Sequence, residues 1–118
     1  MTKTSLSSSL ERAKIAAQVA TDNRGEDVVI LDMRSQTPLF DYFVIASGTS
    51  RRQLHAMSEE IDSALKKGEG DERLGIAGYK ESKWILLDYG DLVIHLFEEE
   101  TRKYYALEEL WGAEVVTD

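Results

Sequence analysis

Asp88, Asp91 and His95 lie close together in WILLDYGDLVIHLF, residues 84–97, and their types are those of acid–base or metal chemistry. Two carboxylates flanking a turn can share a divalent cation with the phosphate oxygens of a nucleotide. Gly48-Thr49-Ser50, at the entrance to a predicted helix, would offer backbone amides to such a phosphate. Together these outline a nucleotidyl-transfer site, but an incomplete one. Asp91-Leu92-Val93 lacks the second carboxylate two residues on, where two metal-binding acids would share a strand face. Asp91 and His95 share a face yet stand about 13 Å apart at ~3.3 Å per residue, too far to bind one ion directly. GxxxxGK[ST], GxGxxG after a strand and GxSxG are all absent. His55, the other histidine, falls among helix positions that face solvent. The residues therefore predict no catalytic residue, no metal site and no cofactor, with a metal-dependent nucleotidyltransferase as the alternative.

The element that must position these side chains is a hairpin. Asp88-Tyr89-Gly90-Asp91 has turn chemistry, with Asp first and Gly third. A two-residue loop at Tyr89-Gly90 would pair 88 with 91 and so on to 84 with 95. Ile85, Leu87, Leu92, Ile94 and Leu96 then form one wholly aliphatic face, the predicted core face. Trp84, Leu86, Asp88, Asp91, Val93 and His95 form the other, with Phe97 at its end and Trp84 directly across from His95. An aromatic among aliphatic neighbours on a second face has the composition of an interface hot spot. The plainer readings are that Asp88 caps its own turn, that His95 packs on Trp84 as an ordinary sheet histidine, and that helices cover this face.

Around the hairpin, Ser8 and Glu11 have capping-box spacing ahead of a helix at about 8–21, with Leu10, Ala13, Ala17 and Ala20 at helical intervals. Val28–Leu31 and Tyr42–Ala46 read as strands buried on both faces, separated by a loop holding Pro38. Ser50 and Gln53 repeat the capping-box spacing. Leu54, Met57, Ile61 and Leu65 follow as the apolar stripe of a helix closed by Lys66, Lys67 and Gly68. Residues 68–75 read as a loop. Glu98, Glu99 and Glu100 open a last helix, with Glu98–Arg102 and Glu99–Lys103 pairs, a Tyr104, Leu107, Trp111 stripe and an end at Gly112. The predicted fold class is α/β (α+β): one domain over 1–118 (core about 8–112), a mixed sheet flanked by helices.

Composition sets the class of partner. The 118 residues carry a net charge of −8, which argues against broad phosphate neutralisation and hence against direct, sequence-specific nucleic-acid binding. Residues 1–80 hold 11 basic and 12 acidic side chains and residues 81–118 hold 3 and 10, so the C-terminal third favours a basic partner. There is no cysteine for disulfide or thiolate chemistry, no apolar h-region in MTKTSLSSSLERAK and no apolar run long enough for a membrane span. The expectation is a protein of the cytoplasm with no membrane partner.

DYFVIASGTSRRQ from Asp41, Gly78-Tyr79, WILLDYGDLVIHLF from Trp84 and EETRKYYALEELW ending at Trp111, in that order and spacing, resemble the ribosomal silencing factor family, also called Iojap-like proteins. The resemblance covers roughly residues 10–112. It implies a fold similar to the nucleotidyltransferase core but without its catalytic acids. It also implies binding to the large ribosomal subunit through its universal protein number fourteen, which blocks joining of the small subunit and reduces translation when nutrients are short. Organellar relatives act in large-subunit assembly. By motif, the recognition surface maps to the hairpin: Trp84, Leu86, Asp88, Tyr89, Asp91, Val93 and His95. Trp84, Leu86 and Val93 would supply apolar area, while Asp88, Asp91 and acids of the last helix, Glu108 and Glu109 among them, would meet basic side chains. A partly apolar face of this kind also suggests a weak homodimer of the free protein.

Overall fold

The structure is a computed structural model and describes residues 8–68, 70–81, 83–105 and 114–116, without the side chains of 103–105. Helix α1 (Ser9–Asp22) begins with the capping box: Ser8 Oγ accepts from Glu11 N at 3.1 Å, and Ser8 N donates to Glu11 Oε1 at 3.2 Å. Strand β1 (Glu26–Asp32) pairs antiparallel with β2 (Tyr42–Gly48). Helix α2 (Arg51–Ser63) follows, then one π-helical turn (Ala64–Gly68). Strands β3 (Gly75–Ala77), β4 (Trp84–Asp88) and β5 (Leu92–Glu98), helix α3 (Glu99–Tyr105) and strand β6 (Glu114–Val115) complete the order. The sheet runs β3-β4-β5-β2-β1-β6 and is mixed, because β2 and β5 are parallel and the other pairs antiparallel.

Helices α1 and α2 cover one face of the sheet. Ala13, Ala16 and Ala20 are fully buried, and their small side chains let α1 lie close to the strands. Leu54, Met57, Ile61 and Leu65 are all 1% exposed or less, so the apolar stripe lies as its spacing predicts. The π turn widens the helix end, and the chain turns back at Gly70, whose φ is +68°, rather than at Gly68. Against these helices pack Ile85, Leu87, Leu92, Ile94 and Leu96, each 0% exposed. The opposite face holds a second cluster of Leu31, Met33, Phe43, Ile45, Val93 and Phe97, flanked by Val29, Phe40, Trp84 and Leu86. Strand β2 is buried along its whole length, whereas β1 is largely half-buried, because only the two-residue β6 separates it from the sheet edge.

Several details differ from the sequence reading. Ser50 Oγ accepts from Gln53 N at 3.1 Å, but the Gln53 carboxamide caps Thr49 N rather than Ser50 N, and its Nε2 donates to the carbonyls of Asn23 and Arg24. The same side chain thus caps α2 and pins the α1–β1 connection. Glu98 accepts from Thr101, and Arg102 reaches inward to Ser47 Oγ (2.9 Å) on β2 in place of an i,i+4 pair. The short strands β3 and β6 stand where the sequence predicts no regular element. Glu99–Lys103, the Tyr104–Leu107–Trp111 stripe, the end at Gly112, and Glu108 and Glu109 lie outside the described side chains.

Two of the buried polar groups, Arg12 and His95, make testable contributions to stability. Arg12, on the inner side of α1 and 2% exposed, donates to Asp71 Oδ2 at 2.6 Å and Asp91 Oδ2 at 2.7 Å. Leucine in its place would leave Asp71, 7% exposed, without its cation. Arg12→Leu should destabilise the fold by about 3–5 kcal/mol in chemical denaturation. His95 is 4% exposed, and burial pushes its pKa down to about 4. The unfolded chain, with an ordinary histidine pKa near 6.5, binds that proton more readily. Stability is therefore lost as pH falls from about 6.5 to about 4, by up to about 3 kcal/mol from this group. His95→Phe should flatten the pH dependence of urea unfolding in that window.

Candidate functional site

The hairpin forms, but in another register. Trp84 pairs with Phe97, Ile85 with Leu96, Leu86 with His95, Leu87 with Ile94 and Asp88 with Val93, two residues from the expected alignment. Interactions at the turn account for the shift. Asp88 Oδ1 accepts from Gly90 N at 2.8 Å, and Tyr89 N donates to the Leu92 carbonyl at 2.9 Å. The Asp91 carbonyl accepts from Asp41 N (2.7 Å) and Tyr42 N (3.3 Å), while its carboxylate turns to Arg12. Asp91 is thus held by β2 and α1 and cannot face Asp88. A slip of two residues leaves every side chain on its expected face, which is why the core assignment holds despite the wrong partners.

The seven hairpin residues singled out from sequence fall into different places. Trp84 and Leu86 are half-buried on the outer face of β4, and Asp88 sits at the end of the same face, its carboxylate capping the turn. Val93 and His95, on the neighbouring strand, are 3% and 4% exposed, so they underlie the surface and contribute little of its area. Tyr89 leaves this face altogether. Its ring joins the main core and its hydroxyl donates to Asp62 Oδ1 on α2 at 2.7 Å. Asp91 pairs with Arg12 at 2.7 Å and keeps its side chain 29% exposed, so part of its charge is already met within the fold.

Trp84 is fixed from two sides. Its Nε1–H donates to His95 Nδ1 at 3.1 Å, across the diagonal of the observed register rather than directly opposite. Its ring packs on Phe97 with centroids 4.9 Å apart. The bond leaves the His95 proton on Nε2, which is buried without a hydrogen-bond partner and lies among aromatic rings, Phe43 among them at 4.6 Å. The depressed His95 pKa keeps the ring neutral, so the Nδ1 lone pair stays available to the indole. Gly78, in the Gly78-Tyr79 motif, has φ +76° and lies against the Trp84 backbone. A Cβ there would run into the Trp84 carbonyl oxygen. Tyr79 itself lands on α2, where its ring stacks on His55 with centroids 3.9 Å apart and its carbonyl lies 2.8 Å from His55 Nε2. His55 is therefore a half-buried contact residue and not a bare surface group, which helix periodicity alone did not reveal.

The nucleotidyl-transfer outline does not assemble. The Asp88 and Asp91 carboxylates serve different partners, and Thr49 N is capped by Gln53. Among the described residues no group of three or more His, Cys, Asp or Glu side chains is placed to hold a metal ion. Among the same residues no helix is long and apolar enough to cross a membrane. What the arrangement offers is an oriented indole and a leucine on a rigid sheet face.

Residues 6–118 match the family described as "Ribosomal silencing factor during starvation". The chain is 41% identical over 106 residues to "Ribosomal silencing factor RsfS" of Bacillus subtilis, covering 89% of this chain and 88% of that one. It is 40% identical over 87 residues to "Mitochondrial assembly of ribosomal large subunit protein 1" of Mus musculus, covering 72% of this chain and 38% of that protein. A crystal structure of a Chromobacterium violaceum protein superposes with a TM-score of 0.86 at 32% identity, covering 94% of this chain and 92% of that one. The chain belongs to the ribosomal silencing factor family.

Proposed function

We propose that this protein is a non-enzymatic translation repressor of the cytoplasm. It docks on the large ribosomal subunit through that subunit's universal protein number fourteen, and its bulk then blocks the small subunit from joining. The observation that carries the reading is the family match over residues 6–118. The name of the mouse relative, which places that protein in assembly of the large subunit, supports the same subunit as partner. A metal-dependent nucleotidyltransferase is the weaker reading, since the two hairpin carboxylates are committed elsewhere.

The proposed contact surface is the outer face of β4. Trp84 and Leu86 would lose their remaining exposure against the partner, with His95 and Val93 as the support beneath. An aromatic held by a hydrogen bond and a ring contact loses little conformational entropy on docking. Asp88 and the excess acid of the C-terminal third would meet lysines and arginines of the partner, adding register and a faster encounter. The same partly apolar face would pair two free copies weakly, and the pair would separate on the ribosome.

Two substitutions test the surface. Trp84→Ala removes the indole but also strips His95 of its donor, so some loss of stability accompanies it. Leu86→Lys leaves that bond in place and sets a positive charge against a basic partner. Each should reduce co-sedimentation with purified large subunits by about a hundredfold in affinity, ~2.7 kcal/mol, while circular dichroism stays native. Both should also restore joining of added small subunits. Folded variants that still bind and still block joining would move the surface elsewhere. Light scattering across concentration should show the free protein passing from monomer to dimer, with Leu86→Lys remaining monomeric.

A further inference from the structure

The groove between α2 and the sheet edge is not used by the reading above. It has a volume of about 380 Å³ and is lined by Ser58, Glu59, Asp62, Arg73, Ile76 and Tyr79. Its apolar side is Ile76 of β3, 39% exposed. Its aromatic wall, Tyr79, is held by the His55 stack and by a hydroxyl bond to Glu59 Oε2. Two carboxylates enter from one side of α2, three residues apart. Glu59 is exposed and bonded to a phenol. Asp62 receives the Tyr89 hydroxyl, and among the described residues its one ion-pair partner, Arg73, stands 3.8 Å away at the outer limit of an ion pair. The groove thus joins a short apolar floor to acceptors with spare capacity.

Beside it, β3 is the end of the sheet. Among the described residues no strand pairs with its outer side. An unpaired edge offers backbone donors and acceptors to an extended chain. Ile76 pairs with Leu87, so it points to the helix-covered face and into the groove. A strand added about 4.8 Å further out would place every second side chain on that same face. A lysine or arginine there can lay its aliphatic stem on Ile76 and bring its charge to Glu59 and Asp62.

We infer that the open edge of β3 and the adjoining acidic groove form a second docking surface, which takes an extended basic segment of a protein partner as an added strand. It lies on the opposite face of the sheet from Trp84 and Leu86 and does not depend on the proposed function of that face. The strand is only three residues long. Edge pairing alone is therefore weak, and the groove supplies the selectivity for a positive side chain.

The test uses the full chain, ¹⁵N-labelled, titrated with the blocked hexapeptide acetyl-TRTKTR-amide. The controls are its glutamate counterpart acetyl-TETETE-amide and the basic peptide N-methylated at alternate amides. The expected result is chemical-shift change centred on residues 74–79 and on Glu59 and Asp62 with the basic peptide alone. N-methylation should abolish it. Glu59→Gln with Asp62→Asn keeps the acceptors but removes the charges, and should weaken binding about five- to tenfold, the size of two partly exposed ion pairs. Equal response to the acidic peptide, survival of binding after N-methylation, no response at millimolar peptide, or perturbation of the same residues by dilution of the protein alone would each overturn the inference. The last result would make the edge a contact between copies. The peptide controls decide the matter even if the double variant folds poorly.

Discussion

The Arg12 guanidinium is the interaction on which the hairpin depends. It lies under α1 and binds Asp71 from the loop after α2 and Asp91 from the β4–β5 turn. A buried cation with two carboxylates satisfies charges that would otherwise be costly, but it stabilises little against an apolar replacement of the whole set. Its larger effect is on geometry. With Asp91 drawn toward α1 and its carbonyl bonded to the start of β2, the turn must widen and β4 must pair two residues further along β5. Ser9 reinforces the same junction by donating to Asp41 at 2.8 Å.

That register decides what surrounds the indole. Trp84 stands opposite Phe97 and reaches His95 diagonally. The sheet itself has two unlike faces in either register. One is mainly aliphatic, with the Tyr42 and Tyr89 rings at its margin, and is closed by α1 and α2. The other is aromatic, buried over β2 and β5 and half-exposed over β4. Burial of a neutral histidine with one nitrogen unpartnered is a local cost. It is accepted where the other nitrogen holds an indole at the rim of the cluster. In the proposed function, that rim is where the partner sits.

The sequence made the faces legible and left the alignment hidden. Period-two alternation separates Ile85, Leu87, Leu92, Ile94 and Leu96 from Trp84, Leu86 and His95 in either register, so the core could be read without the turn being right. The register could not, because Arg12 is distant in sequence and reads as one more polar residue of a helix. The same holds for His55, whose partner Tyr79 arrives through the β3–β4 connection. Strands β3 and β6, three and two residues long, are too short for any periodicity, and tertiary pairing alone defines them. Of the site, the aromatic anchor and its histidine were visible as residue types on one face. The departure of Tyr89 into the core and of Asp91 into an ion pair was not, since both follow from the wider turn.

In the proposed function the outer face of β4 lies against the large ribosomal subunit. An electron cryomicroscopy reconstruction of large subunits saturated with this protein examines that most directly. The predicted map shows the sheet lying face-on to the subunit, with Trp84 and Leu86 packed against its universal protein number fourteen and the helices α1 and α2 turned away from it. Density in which α1 or α2 makes the contact and Trp84 faces solvent would contradict the account.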